Sequence, residues 1–211
     1  MKNKKKYEKT IQIQKVPLEE DLGGKKLNWK PGNMVYPLPA VLVSCGSSAD
    51  EYNVFTASWT GTTCSDPPAC YVSIRKERHS YNIIKKNMEF VINLTVEELA
   101  FATDWCGVKS GRDFDKFKEM KLTPVKGEKV LAPIVMESPV NIECRVTQII
   151  PLGTHDMFMA EVVNVQVSAE FLDEKTNAFD LAKAKLIAYS HGQYFKIGEE
   201  IGKFGWSVKK K

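Results

Sequence analysis

The sequence contains no apolar run approaching the roughly 20 residues that cross a bilayer. Its start, Met1-Lys2-Asn3-Lys4-Lys5-Lys6, also lacks the apolar stretch of a secretory signal. A cytoplasmic location without a membrane partner is the expectation. Cysteine is scarce: Cys45, Cys64, Cys70, Cys106 and Cys144 are odd in number and include no Cys-x-x-Cys pair. That argues against both a disulfide framework and a structural zinc site, and the five read as reduced thiols. The three histidines, His79, His155 and His191, are too scattered to imply a metal site. Gly-x-Gly-x-x-Gly, Gly-x-x-x-x-Gly-Lys-Ser/Thr and Gly-x-Ser-x-Gly are all missing. A nicotinamide donor, if one is used, is therefore not held in a dinucleotide-binding βαβ unit.

The net charge is +4, but Lys2, Lys4, Lys5, Lys6, Lys209, Lys210 and Lys211 lie in the two tails, and without them the balance turns negative. The basicity is terminal, and tails of this kind are usually solvated, so no nucleic-acid partner is expected. With 211 residues, 43% hydrophobic and 27% charged, the chain can bury one sizeable core. No repeat and no Ser/Gly/Pro-rich linker divides it. Residues 1–34 read as a loosely structured arm with turn signals at Leu22-Gly23-Gly24 and Pro31-Gly32-Asn33, and 35–211 as one domain.

Strand candidates follow quickly: Ala40 to Ser44, Asn53 to Trp59, Ala69 to Ile74 and Phe90 to Leu94, rich in β-branched or aromatic residues and bounded by turn formers. The first two should form a hairpin across Cys45-Gly46-Ser47-Ser48-Ala49-Asp50. Val140 to Thr147 alternates apolar and polar, which predicts a strand buried on one face. In Phe158 to Val167 the alternation slips by one residue at Val162-Val163, which predicts a β-bulge there.

Helices punctuate the strands. One is expected from His79 to Asn87, and another at Thr95, where Thr95-Val96-Glu97-Glu98 has the form of a capping box. In a third, short one, Phe114 and Phe117 share a face while Asp113, Asp115, Lys116 and Lys118 stay wet. Strands dominate and most connections are hairpin-like. The expected architecture is mainly β, an antiparallel barrel with a few peripheral helices.

Three stretches can carry chemistry. Asn53-Val54-Phe55-Thr56-Ala57-Ser58-Trp59-Thr60-Gly61-Thr62-Thr63-Cys64-Ser65-Asp66-Pro67-Pro68 sets small hydroxyl residues beside one Trp. A strand end of this kind lets a flat ring approach the backbone, although a polar edge strand followed by a loop has the same look. Ser73-Ile74-Arg75-Lys76-Glu77-Arg78-His79-Ser80 puts arginines and a His-Ser pair at a helix start, which is chemistry for a phosphate monoester, or else an ordinary charged loop. Val108-Lys109-Ser110-Gly111-Arg112-Asp113-Phe114-Asp115-Lys116-Phe117 is either a capped amphipathic helix or a contributor of Ser110 and Lys116 to that phosphate site. Spacing does not choose between the two. Gly153-Thr154-His155-Asp156 reads as a tight turn between strands, where an imidazole could face a ligand.

The order Pro37-x-Pro39, Asn53-x-x-Thr56-Ala57-Ser58-Trp59, Asp66-Pro67-Pro68, Arg78-His79-Ser80, Phe90-Val91-Ile92-Asn93, Ser110-Gly111, Asp115-Lys116-Phe117 and Gly153-x-His155 resembles the flavin reductase-like, FMN-binding split-barrel family, its flavoredoxin branch in particular. The resemblance runs from about Tyr36 to Gly198. It implies a six-stranded split barrel of Greek-key type, a homodimer, and FMN near the subunit interface. It also implies that Thr56, Ala57, Ser58 and Trp59 line the isoalloxazine ring, with Thr62, Thr63 and Cys64 nearby. Arg78, His79, Ser80, Ser110 and Lys116 would take the phosphate, with Arg75 less firmly placed, Asn93 would lie near the ribityl chain, and His155 would meet substrate.

The function implied is passage of electrons or hydride through FMN, as an NAD(P)H-dependent flavin oxidoreductase acting on a small-molecule or protein redox partner. The alternatives are a non-catalytic FMN electron carrier serving protein partners and, from another class, a nucleic-acid-binding barrel. No side-chain acid or base is demanded, because the flavin would carry the chemistry.

Overall fold

The computed structural model describes residues 26–208. The chain divides into two units, 1–34 and 35–211. Residues 26–34 have no regular secondary structure, and the Leu22-Gly23-Gly24 signal lies outside the described residues. The strands of the second unit are β1 (Leu38–Pro39), β2 (Val41–Cys45), β3 (Asn53–Ala57), β4 (Thr60–Ser65), β5 (Pro68–Arg75) and β6 (Glu89–Leu94). They continue with β7 (Pro124–Lys126), β8 (Pro133–Val135), β9 (Val140–Pro151), β10 (His155–Val167), β11 (Ile187–Ser190) and β12 (Gln193–Lys196). The helices are α1 (His79–Asn87), α2 (Ala100–Val108), α3 (Lys116–Glu119) and α4 (Leu181–Ala184). Among the described residues no helix is long and apolar enough to cross a membrane.

The main sheet is antiparallel with the order β3-β2-β6-β9-β10-β5-β4. Its two outermost strands, β3 and β4, are consecutive in the chain, with only Ser58 and Trp59 between them. Two residues cannot span a flat seven-stranded sheet whose strands lie about 4.8 Å apart. The sheet therefore curls so that β3 and β4 come together at the Ser58-Trp59 corner, where Ser73 N–H of β5 donates to the Trp59 carbonyl at 2.8 Å and extends the β4–β5 ladder by one pair. The predicted Asn53-to-Trp59 strand thus ends in a corner, and the chain continues as β4. This makes seven strands where six were expected.

Alternation sorts the side chains. Val41, Val43, Phe55, Val72, Ile74, Phe90, Ile92 and Phe158 fill the barrel, and Tyr81, Ile83 and Ile84 of α1 pack onto the same cluster. On the outer face, Leu42 and Val54 lie under Ala102 and Cys106 of α2 and Phe117 of α3. The β10 register breaks between Val162 and Asn164, as the phase slip predicted. Its effect is visible in the packing: Val162 joins the barrel cluster while Val163 packs on a separate one with Val91, Val130 and Ile134. A second irregularity, at Met159/Ala160, carries no such signal in the sequence.

Helix α1 has the predicted bounds, with Lys85 and Lys86 in its last turn, where the macrodipole favours cations. The capping box at Thr95 does not form. Thr95 Oγ1 donates instead to the Ala40 carbonyl, a single 3₁₀ turn covers Glu97–Leu99, and α2 starts at Ala100. Asp115 caps α3 by accepting from Lys118 N at 3.1 Å. Phe117 is buried as expected, but so is Lys116, which was expected to be wet.

Candidate functional site

A cavity of about 420 Å³ opens where β5 runs into α1. The loop before α1 supplies Arg78, whose backbone is extended at the N-cap position with no side chain capping the helix. His79 and Ser80 follow in the first turn, so the positive end of the helix faces the cavity. Ser110 and Lys116 approach from the segment between α2 and α3. The structure therefore brings Arg78, His79, Ser80, Ser110 and Lys116 together around one space.

The lining of this cavity is cationic. Arg75, Arg78, Lys109, Arg112 and Lys116 line the cavity against one carboxylate, Glu77, which pairs with Arg75 at 3.5 Å. Lys116 is only 4% exposed, and its Nζ donates to the Cys106 carbonyl at 2.8 Å. No carboxylate among the described residues pairs with it. Its neighbours Cys45 and Cys106 are neutral thiols, pushed up to about 12 and about 11 by burial. Burial first, then the nearby Arg78, pushes the Lys116 ammonium down to about 8. The His79 imidazole is also held below its usual value, by burial and then by Arg112 and Lys116. A buried ammonium without a counter-charge is costly, and an anion in the cavity would relieve that cost.

The wall opposite α1 is β3. Asn53 Nδ2 donates to Ser80 Oγ at 2.6 Å, and Phe55 lines the cavity beside it. Gly111 closes the rim, where a Cβ would stand 2.3 Å from Asn53 Oδ1 and 2.8 Å from the His79 ring, so any side chain would have to displace one of them. Arg112 Nη2 donates to the Glu77 carbonyl at 3.0 Å and ties the two loops together.

The rest of the expected ring-binding set runs from this cavity along β3 and around the barrel corner. The Thr56 hydroxyl is spent on the Thr103 carbonyl, and Gly107 of α2 lies so close that a Cβ would be 3.2 Å from Thr56 Cβ. Ala57 is buried in the barrel. These two residues can therefore offer a ligand backbone groups along the free edge of β3, not side chains. Ser58 is buried, and Trp59 is 37% exposed with its ring stacked on His155, centroids 6.3 Å apart and planes 14° apart. Thr62, Thr63 and Cys64 are exposed on edge strand β4, where the register breaks between Thr62 and Cys64. Cys64 Sγ donates to the Asp66 carbonyl at 3.2 Å.

His155 starts β10 directly after the expected turn and faces Arg75 across the β5–β10 ladder. Burial, then Arg75, pushes its imidazole below its usual value. The ladder thus joins the Trp59–His155 pair to the cationic cavity, and Arg75 takes its place in the lining.

Asn93 is a correction. It is 0% exposed, and its amide donates to the Leu42 carbonyl and Ser44 Oγ while its Oδ1 accepts from Val135 N and Asn141 Nδ2. Every polar atom of that side chain is committed inside the protein, so it has nothing left for a ribityl chain. The sequence reading missed Asn53, Phe55, Lys109, Gly111 and Arg112 as lining residues. Strand alternation held the signal for the first two, since Asn53 and Phe55 share the parity of Ala57. The others adjoin Ser110, which was picked out.

A model of the flavin reductase like domain matches residues 33–198. A protein of Archaeoglobus fulgidus is 32% identical over 141 residues, 67% of this chain and 78% of that one. The FMN reductase (NADH) RutF of Serratia proteamaculans is 25% identical over 109 residues, 52% of this chain and 60% of that one. Among solved structures, the flavoredoxin of Desulfovibrio vulgaris (Miyazaki F) is 31% identical with a TM-score of 0.81, covering 88% of this chain and all of that one. With a domain model matching most of its length and a barrel superposable on that structure, the chain belongs to the flavin reductase like family.

Proposed function

We propose that the protein binds FMN, with the phosphate in the cationic cavity and the tricyclic ring against the β3–β4 corner, and passes electrons or hydride through it. The observation that carries this reading is Lys116, a buried ammonium lining the cavity with no carboxylate partner among the described residues. A dianionic phosphate monoester suits it, flanked by Arg78, the Ser80 hydroxyl and the open N–H groups of α1.

FMN would supply reversible electron transfer; the chain's own residues would bind, orient and shield it. Backbone N–H groups of the outermost strands β3 and β4 would donate to the carbonyl-bearing edge of the ring, and such preorganised donors favour charge arriving there. Trp59 and His155 would bound the approach to that ring, with His155 meeting the second reactant. NADH or NADPH is the proposed donor, in keeping with the resemblance to an FMN reductase that uses NADH. The likeness to a flavoredoxin supports the second reading, an electron carrier serving protein partners. A homodimer and a cytoplasmic location complete the proposal.

Titrating the apoprotein with FMN tests the binding. Quenching of flavin fluorescence and co-elution on desalting are expected, and free-solution fluorescence with separate elution would refute the proposal. Anaerobic stopped-flow mixing with NADH or NADPH then separates the two roles: bleaching marks the oxidoreductase, and an unchanged spectrum marks the carrier.

A further inference from the structure

All five cysteines are free, and two of them meet inside the barrel: Cys70 Sγ and Cys144 Sγ lie 3.5 Å apart although 74 positions separate them in the chain. The strands that carry them, β5 and β9, are not neighbours, because β10 runs between them. Cys70 stands opposite Ala160 of β10, and Cys144 opposite Val162. Ala160 and Val162 are two positions apart and share a face, which sends both thiols to the inside of the barrel. Reaching over an intervening strand needs strong local curvature, and bulges supply it. The β9–β10 register breaks at Met159/Ala160 and again at Val162/Asn164, and the β4–β5 register breaks between Thr62 and Cys64, beside Cys70. The single methyl of Ala160 leaves room above the strand for the two sulfurs.

A buried cysteine by itself is a small apolar residue, and Cys45 and Cys106 fit that description. The pair is different because each sulfur lies within hydrogen-bonding distance of the other. Its two members are also unequal. Cys144 is fully buried, whereas Cys70 is 7% exposed and is the one that a small solute meets first. The hydrogen bond from Cys144 pulls the Cys70 thiol down, and the same contact, together with burial, pushes Cys144 up. That inequality suits Cys70 to attack and Cys144 to resolve. Among the described residues no third ligating side chain joins the two to hold a metal ion. Val72, Phe90, Val146 and Phe158 of the same cluster are uncharged, a setting that tolerates a neutral disulfide but not a pair of thiolates.

We infer that Cys70 and Cys144 form an oxidisable dithiol inside the barrel, closed to a disulfide by hydrogen peroxide. The Cys70 sulfur attacks the peroxide: an S–O bond forms, the O–O bond breaks, and the departing oxygen leaves with the thiol proton as water. The Cys144 sulfur then attacks the sulfenic acid on Cys70. The S–S bond forms, the S–O bond breaks, and the hydroxyl leaves with the Cys144 proton as a second water. The two thiols have lost two electrons and the peroxide has gained them. The bond ties β5 to β9 over the irregular part of β10, and a small dithiol reopens it by exchange. The inference is independent of the FMN reading of the cationic cavity.

The exposed Cys64 would react as well, so the test uses the full chain carrying Cys64→Ser, which keeps four of the five cysteines. After the folded protein is treated with hydrogen peroxide and then denatured, its titratable thiols should fall from four to two. Peptide mapping, which keeps methionine oxidation apart, should find the Cys70 and Cys144 peptides joined and lighter than their sum by about 2 Da, the two hydrogens lost. Dithiothreitol should restore all four thiols. Adding Cys144→Ala should replace the bridge by oxygen on Cys70, and the Cys64→Ser result stands alone should that second variant fail to fold. Four thiols surviving the treatment, oxygen on Cys70 while Cys144 is present, or a bridge to Cys45 or Cys106 would overturn the inference.

Discussion

The Asn53 amide and the Ser80 hydroxyl meet at 2.6 Å, and through that contact the edge strand of the barrel is fastened to the first turn of α1. The two residues are 27 positions apart, and both are buried. Truncating one strands the other. Ser80→Ala should cost about 1–3 kcal/mol in urea unfolding, the cost of a buried amide left without its partner. It should also weaken FMN binding, read by fluorescence titration, because both sides of the phosphate cavity lose their tie.

Lys116→Met separates stability from binding. Removing a desolvated charge should leave the protein as stable or more so at neutral pH, while FMN affinity falls about tenfold or more with the loss of a charge-assisted contact. The pH dependence has a definite sign. The folded value, about 8, lies below the ordinary lysine value of 10.5, so the unfolded chain holds the proton more tightly. Wild-type stability therefore carries the full penalty below about 8 and sheds it as pH rises towards 10.5, and the advantage of Lys116→Met should vanish over that window. FMN affinity of the wild type should fall as pH climbs past 8, where the ammonium deprotonates. Calorimetric titration across that range checks it.

Glu143 predicts the acid limb. It is fully buried, with Oε2 accepting from Lys129 N at 2.6 Å and Val130 N at 3.1 Å and Oε1 from Asn164 and Gln166. Burial acts to raise its value, but the hydrogen bonds from Asn164, Lys129 N and Gln166 outweigh it and hold the carboxyl below its usual range. The stabilisation is present above the unfolded carboxylate value and is lost as pH falls through the lower folded one. Glu143→Gln should cost about 3 kcal/mol at neutral pH by setting a donor against donors, and the loss should shrink in acid. Thermal melts from pH 7 down to 3 would show the two curves converging.

His155→Leu distinguishes the aromatic pair from the phosphate cavity. The dissociation constant for FMN should stay within about twofold, whereas the rate of reduction by NADH or NADPH should change with the contact surface offered to the donor. An equal loss in both would place His155 in flavin binding instead.

What could be read beforehand had local causes. The α1 boundaries follow from a strand end, a charged loop and a basic last turn, and the bulge from a one-residue slip in alternation. What could not be read depends on partners distant in sequence. Thr95 has the local pattern of a cap, but its hydroxyl goes to Ala40, 55 residues away. Lys116 stands among charged neighbours in a short helix, and its burial comes from α2 and the cavity wall, which composition does not reveal. Asn93 has the look of a site residue at a strand end, and the structure spends it on Leu42, Ser44, Val135 and Asn141.

The two-residue link between β3 and β4 means that the seam of the barrel and the bed for the ring are the same stretch of chain. Any breathing that parts Trp59 from Ser73 must also disturb the surface on which the ring would rest. Occupancy should consequently slow amide exchange at Ser73 more than at residues deep in the β9–β10 hairpin, turning that N–H into a native reporter of ligand residence.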